Sequence, residues 1–193
     1  AVCIGSDDAT KEVRSALAIG ADRGILVECD EEQLDSDLVA QMLVKICESE
    51  KPDLVIMGKQ ATDGDSNQAG QLLAEYMNWP QATFAYKVEV NDGLSGATVQ
   101  REVDGGVETV EVDFPAVITT DLRLNEPRSA GLFGIKRARK KPLDVTTPDE
   151  LGVSMQAKVE TVSFGVPSQR QAGVLVDSVD ALIEKLANEA KVI

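Results

Sequence analysis

Two short apolar runs, GILVE (24–28) and DLVIMG (53–58), flank a stretch with helical spacing, and this alternation limits the possible folds most. Runs of Ile, Leu and Val without polar alternation suit strands covered on both faces, and such strands belong to parallel sheets layered between helices. Asp35–Ser49 puts Leu38, Val39, Met42, Leu43 and Ile46 on one helical face, with Asp35 or Ser36 placed to cap it. Residues 8–19 carry Val13, Ala16, Leu17 and Ile19 at similar spacing, and Gly20 stops that helix. A third helix is expected over 67–78 (NQAGQLLAEYMN), ended by Trp79-Pro80. The order α-β-α-β-α predicts an α/β fold with a doubly wound, mostly parallel sheet.

The second half changes character. ATFAYKVEV (82–90), GATVQREV (96–103) and VETVEVDF (107–114) alternate with period two, separated by NDG and DGG turns. This predicts an inserted antiparallel β ribbon, after which PAVITTDL (115–122) returns as a buried strand. Residues 123–142 then hold seven of the chain's 19 basic residues against one acid, Glu126. Composition alone reads that stretch as a solvated basic helical turn. TTPDELGV (146–153) is a capped turn, VSFGVPSQRQAG (162–173) is polar and turn-rich, and DSVDALIEKLANEA (177–190) is a last amphipathic helix. The expected division is residues 1–163 as one α/β domain and 164–193 as a C-terminal arm.

Several function classes fall away on composition. There is no histidine, and Cys3, Cys29 and Cys47 show no paired spacing. That argues against a zinc site, a His-based triad and a disulfide framework. The net charge of −14 makes nucleic acid and anionic membranes poor partners, and no run of apolar residues is long enough to span a bilayer. The acidity fits either a salt-rich habitat or simple solubility. The chain opens AVCIGSDDAT, without Met, signal peptide or transit segment, and AVCIG reads as the end of a buried strand. Further sequence upstream is therefore expected.

The stretch with most chemical content is GKQATDGDSNQAG (58–70), which joins the second buried strand to the third helix. In an open α/β sheet, ligands bind beyond the carboxyl ends of strands at such loops. Asp65 or Ser66 is placed to cap the following helix, whose N–H groups favour an anion, and Lys59 adds a positive charge. Gly58 and Gly64 let the backbone approach a ligand closely. Asp63 and Asp65 oppose a phosphate and suggest calcium, yet Gln68 and Ala74 stand where an EF-hand needs Gly and Glu. Neither a Walker A loop nor a GxGxxG fingerprint is present. Spacing alone leaves two readings open: a nucleotide phosphate site, or a well-capped turn without ligand.

Six segments in order carry a stronger signal: GADRG (20–24), DLVIMGKQATDGDSNQAGQ (53–71), WPQATFA (79–85), REVDGGVETVEV (101–112), PAVITTDLRLNEPR (115–128) and PSQRQAG (167–173). Together they resemble the β subunit of an electron transfer flavoprotein, of the non-bifurcating, AMP-binding type. The resemblance covers nearly the whole chain and lacks the family's N-terminal strand, helix and strand, roughly sixty residues.

The resemblance implies an adenine-nucleotide α-hydrolase-like sheet and a heterodimer with an α subunit that holds the redox-active FAD. It implies a structural AMP in the β subunit, with Gly58, Lys59, Gln60, Ala61, Thr62, Asp63, Gly64, Asp65, Ser66, Asn67, Gln68 and Ala69 wrapping its phosphate and Ile4 on the adenosine. Residues 123–142 match the loop that docks dehydrogenases, with Leu132 as its anchor and Phe133 and Ile135 beside it. Here the sequence departs from the family. Ser129 follows EPR in place of Tyr, Phe133 stands where Pro is common, and GIKRARKK replaces a lysine-richer run. Glu102 matches a carboxylate that pairs with an α-subunit arginine near the flavin, and Arg170 and Gly173 mark the C-terminal arm that packs on α. Electrons would pass from acyl-CoA and related dehydrogenases to a quinone oxidoreductase, with no catalytic residue in this chain. The setting implied is the cytoplasm of a bacterium or archaeon, or the mitochondrial matrix. Two alternatives are a bifurcating β subunit, with a second FAD in the AMP place and NADH oxidation, and an ATP-binding stress-type protein of the same fold. The latter would want a GxxG…G[ST] loop, which is absent.

Overall fold

The computed structural model describes residues 1–170 and 172–193. The chain forms two compact units, Ala1–Glu160 and Thr161–Ile193. In the first, β1 (Val2–Gly5), β2 (Gly24–Glu28) and β8 (Leu143–Thr146) make a three-stranded parallel sheet in the order β1-β2-β8. A five-stranded sheet has the order β3-β7-β4-β5-β6, with β3 (Leu54–Gly58), β4 (Gln81–Val90), β5 (Gly96–Val103), β6 (Gly106–Asp113) and β7 (Ala116–Thr120). β7 runs parallel to both β3 and β4, whereas β4, β5 and β6 form the expected antiparallel ribbon. Asp104-Gly105 closes the β5–β6 hairpin as a two-residue turn, with Gly105 at φ 85°. The fold is thus α/β and mostly parallel, as the sequence predicts.

Helix α1 (Thr10–Ile19) buries Val13 and Leu17 against β2 and β8. Helix α2 (Ser36–Glu50) begins at Asp35, whose Oδ1 accepts the Leu38 N–H at 2.8 Å. Its apolar stripe is wide enough to serve both sheets. Leu38, Met42 and Ile46 pack with Val27 of β2, while Leu43 and Cys47 pack with Val55 and Met57 of β3 and with Leu73. Leu73 belongs to α3 (Ala69–Met77). α2 therefore holds the two sheets side by side. The edges of β1 and β3 flank an apolar cleft of 570 Å³ roofed by Val39, Leu43 and Ile46 of α2.

Helix α4 (Leu132–Ala138) forms within the basic stretch, and β8 follows it. β8 is too short, at four residues (LDVT), to show a period, and it was not expected. In the second unit, α5 (Val179–Lys185) is capped by Ser178, which accepts the Ala181 N–H at 3.2 Å, and continues into a π-helical turn, Leu186–Ala190. The described residues before α5 in this unit form no helix or strand and leave Phe164, Val166 and Leu175 more than nine-tenths exposed. Gln171, within the PSQRQAG motif, lies outside the described residues.

Candidate functional site

The loop after β3 is positioned by strand register. Gly58 of β3 pairs with Thr120 of β7, and the Lys59 N–H donates to the Thr120 carbonyl at 3.1 Å. Beyond Lys59 the chain folds on itself. The Asp65 N–H donates to the Ala61 carbonyl at 3.0 Å, the Gly64 N–H to Asp63 Oδ1 at 2.8 Å, and the Gln60 amide contacts Asp65 Oδ1. Asp65 and Asn67 sit at φ 51° and 49°, the left-handed region that Asp and Asn tolerate better than most side chains.

The capping expected of Asp65 or Ser66 does not occur. α3 starts at Ala69 with Gln68 as its N-cap and no side-chain cap. The Ser66 hydroxyl instead donates to the Gly64 carbonyl at 3.4 Å, because it lies two residues before the N-cap. Asn67 Oδ1 accepts from Gln71 Nε2 at 3.0 Å, and Gln71 Oε1 is buried without a partner. The first N–H groups of α3 are thus left for another acceptor.

The loop borders two cavities. The larger, 510 Å³, is lined by Gly58, Lys59, Gln60, Ala61 and residues 64–69, facing Asp35, Ser36 and Val39 of the α2 start. The other, 440 Å³, lies between the loop and the end of β7, where Thr62, Thr120, Asp121 and Leu122 join Lys59. Asp63 lines neither cavity. Ile4 stands apart, packing with Val27 and Leu38 and lining the cleft between β1 and β3.

The destination of the Lys59 side chain follows from the same register. Because Gly58 and Thr120 are paired, Lys59 and Asp121 leave their strands side by side. Lys59 Nζ donates to Asp121 Oδ2 at 2.6 Å and lies 4.9 Å from the centre of the Phe84 ring. Phe84 adopts φ 59° in an irregular stretch of β4, and its N–H donates to Thr119 Oγ1 at 3.3 Å. Asp121 is buried, and its other oxygen takes the Arg123 N–H and Nε, each at 3.2 Å. The Lys59 amine, with help from the Arg123 backbone, holds the Asp121 carboxyl at a pKa of about 2. Arg123 also contacts Glu102 on β5. Glu102 therefore has a partner within its own chain.

A second cluster starts at α2. Asp35 Oδ2 accepts the N–H groups of Lys158 (2.6 Å) and Val159 (3.2 Å). Asp37 is buried and accepts from Lys158 Nζ at 2.8 Å, Gln41 Nε2 at 2.6 Å and the Tyr76 hydroxyl. Lys158 and Tyr76 hold its carboxyl below the usual range. These bonds fix the backbone at 158–159 to the start of α2.

The basic stretch presents its apolar residues outward. Leu132 and Phe133 are 84% and 83% exposed, and Ile135 is 43% exposed. The rest of α4 is held tightly on α1. Ala138 is buried, and a Cβ on Gly134 would come within 2.6 Å of the Ala18 carbonyl oxygen. Arg14 Nη1 donates to the carbonyls of Ala138 and Lys141 at 2.8 and 2.7 Å, and Lys141 Nζ donates to those of Leu17 and Ala21 at 3.0 and 2.5 Å. Phe133 borders an open groove of 410 Å³ with Lys136, Arg137 and Lys140. Arg170, in the second unit, is exposed.

Sequence reasoning missed Asp121, Arg123, Arg14 and the Asp35–Asp37 clasp. The first had a usable signal. Laying DLVIMGK beside PAVITTD as parallel strands, with both loops leaving at one end, sets Lys59 against Asp121. Arg123 depends on that same placement of Asp121 and on Glu102, 21 residues away, whereas Arg14 and the clasp depend on contacts more than 100 residues apart in the chain.

No group of His, Cys, Asp and Glu among the described residues is arranged to hold a metal ion. No helix among the described residues is long and apolar enough to cross a membrane. Residues 1–151 match the family described as "Electron transfer flavoprotein domain". Over its full length the chain is 48% identical to the Arabidopsis thaliana "Electron transfer flavoprotein subunit beta, mitochondrial" and covers 76% of it. It is 50% identical over 192 residues to the "Electron transfer flavoprotein subunit beta" of Bradyrhizobium diazoefficiens, again all of this chain and 76% of the other. With the Homo sapiens protein of the same name it shares 47% identity over 190 residues, 96% of this chain and 73% of that one. The chain therefore belongs to the electron transfer flavoprotein family, among its β subunits.

Proposed function

We propose that this chain is the β half of a heterodimeric electron carrier, that it holds a structural AMP in the loop 58–69, and that it docks dehydrogenases through residues 123–142. The observation that carries the nucleotide reading is the loop itself. It leaves the carboxyl end of β3 and ends at a helix start whose N–H groups have no side-chain cap. It also lines a 510 Å³ cavity, within the range of small-molecule sites. A Cβ on Gly58 or Gly64 would meet nothing within 4 Å, so the backbone there is open to a ligand. Backbone N–H groups near residues 67–70 would take the phosphate, with the Asn67 and Gln68 amides beside it.

FAD, held mainly by the α partner, supplies the redox chemistry when bound. This chain's residues position and recognise. Glu102 lies on the β5 ribbon with Arg123 as its present partner, and a partner-subunit arginine would compete with Arg123 for it. The second unit, with Arg170 and its exposed Phe164, Val166 and Leu175, supplies apolar surface for the α subunit. Leu132 and Phe133, carried on a helix clamped to α1, form an apolar anchor beside a basic rim. That combination gives fast, salt-sensitive encounter with an acyl-CoA dehydrogenase or similar donor, and quinone oxidoreductase would take the electrons onward.

The test is anaerobic reduction of the reconstituted heterodimer by a dehydrogenase. Leu132→Ala and Phe133→Ala should each slow reduction by at least about tenfold, as removal of a central apolar anchor does. If both variants are reduced at the wild-type rate, the docking role is wrong.

A further inference from the structure

We propose that Asp121 sets the phosphate-number preference of the 58–69 loop by holding the Lys59 amine out of the larger cavity. The inference rests on the nucleotide reading proposed above. Loops that grip di- and triphosphates send a lysine from the loop onto the outer phosphates. This loop contains a lysine next to a glycine, but its amine is committed elsewhere. Lys59 Nζ is 2.6 Å from Asp121 Oδ2, and Asp121 lines the second cavity, not the first. The Phe84 ring, 4.9 Å from the amine, covers it on another side. Asp121 is itself locked by the Arg123 backbone and guanidinium.

Lys59 is the one basic residue among the described residues lining the larger cavity, and Asp35 and Asp65 line it too. What remains for an anion is backbone N–H, side-chain amide and the neutral hydroxyls of Ser36 and Ser66, with two carboxylates nearby. Such a donor set serves one phosphate at a helix start. Each further phosphate adds negative charge near Asp35 and Asp65 with no cation to offset it, and like charges at this range repel. Asp121 is thus a specificity-determining residue that favours a nucleoside monophosphate over its di- and triphosphate.

The test uses the full-length chain reassembled with its α partner and FAD, without divalent cations, in equal AMP and ADP. Bound nucleotides are then released with acid and quantified. Wild type should take up AMP over ADP by at least about tenfold, a preference worth about 1.4 kcal/mol. Asp121→Asn should release the Lys59 amine and shift the ADP:AMP ratio toward ADP by at least about fivefold. The double variant Lys59→Met/Asp121→Asn should lose that shift. The proposal is overturned if wild type takes up ADP as readily as AMP, a result that needs no variant to fold. It is overturned equally if Asp121→Asn leaves the ratio unchanged or if the double variant keeps the shift. Uptake of neither nucleotide by wild type would overturn the nucleotide reading itself, and this inference with it.

Discussion

Replacing Gly134 by Ala sets two known magnitudes against each other. Inside a helix, Gly→Ala is favourable by about 1 kcal/mol, because glycine loses more backbone freedom on folding. At Gly134 the added Cβ would lie 2.6 Å from the Ala18 carbonyl oxygen, far inside ordinary contact. That oxygen belongs to the α1 backbone and cannot rotate away, so α4 must lift off α1. Overpacking of this kind costs about 1–3 kcal/mol, so the net effect is a loss of about 1 kcal/mol. The bonds from Arg14 and Lys141 that tie the two helices together would lengthen with it. Lowering the free energy of local opening by about 1 kcal/mol speeds amide exchange about fivefold, and hydrogen exchange at Ile135–Lys141 reads it. Gly131→Ala is the control: it is the N-cap of α4, with nothing within 4 Å of the new carbon, so it adds no clash and exchange should speed only slightly, because Ala caps a helix less well than Gly. Slower exchange at 135–141 in Gly134→Ala would refute the tight α1–α4 contact.

Other consequences are simpler. Leu73 is fully buried between α2, α3 and β7, so Leu73→Ala should cost about 2–5 kcal/mol in chemical denaturation. Asp37→Asn should loosen the backbone at 158–159 by on the order of 1 kcal/mol, allowing for the exposure of the Lys158 amine, and raise proteolytic cutting there. The Asp121 carboxyl titrates at about 2 in the fold against an ordinary 3.8, so its contribution is complete above the ordinary value and fades as pH falls through about 2. The stability gap between wild type and Asp121→Asn should therefore close between about pH 4 and about pH 2, and a gap that persists at the acid end would contradict the pairing.

The sequence spoke most clearly where a pattern is local. Leu38, Met42 and Ile46 recur at helical spacing and do form one buried face of α2, and Asp35 caps it as its position suggests. The ribbon followed from two-residue alternation and a DG turn. The capping of α3 was not legible in the same way. Ser66 and Asp65 have capping chemistry, but two left-handed residues, Asp65 and Asn67, draw the loop out and delay the helix to Ala69. Lys59 shows the deeper limit. Its type suits a phosphate, yet its partner Asp121 lies 62 residues away and is brought beside it only by the pairing of β3 with β7. β8 has four residues and is made a strand by its neighbour β2, not by its own sequence.

The most direct test of the structural-nucleotide account is to count what the assembled protein carries. The full-length chain is co-expressed with its α partner, the heterodimer purified, and its nucleotides released with acid and separated by chromatography. The account predicts one FAD and one AMP per heterodimer; two FAD, or FAD with no mononucleotide, would contradict it.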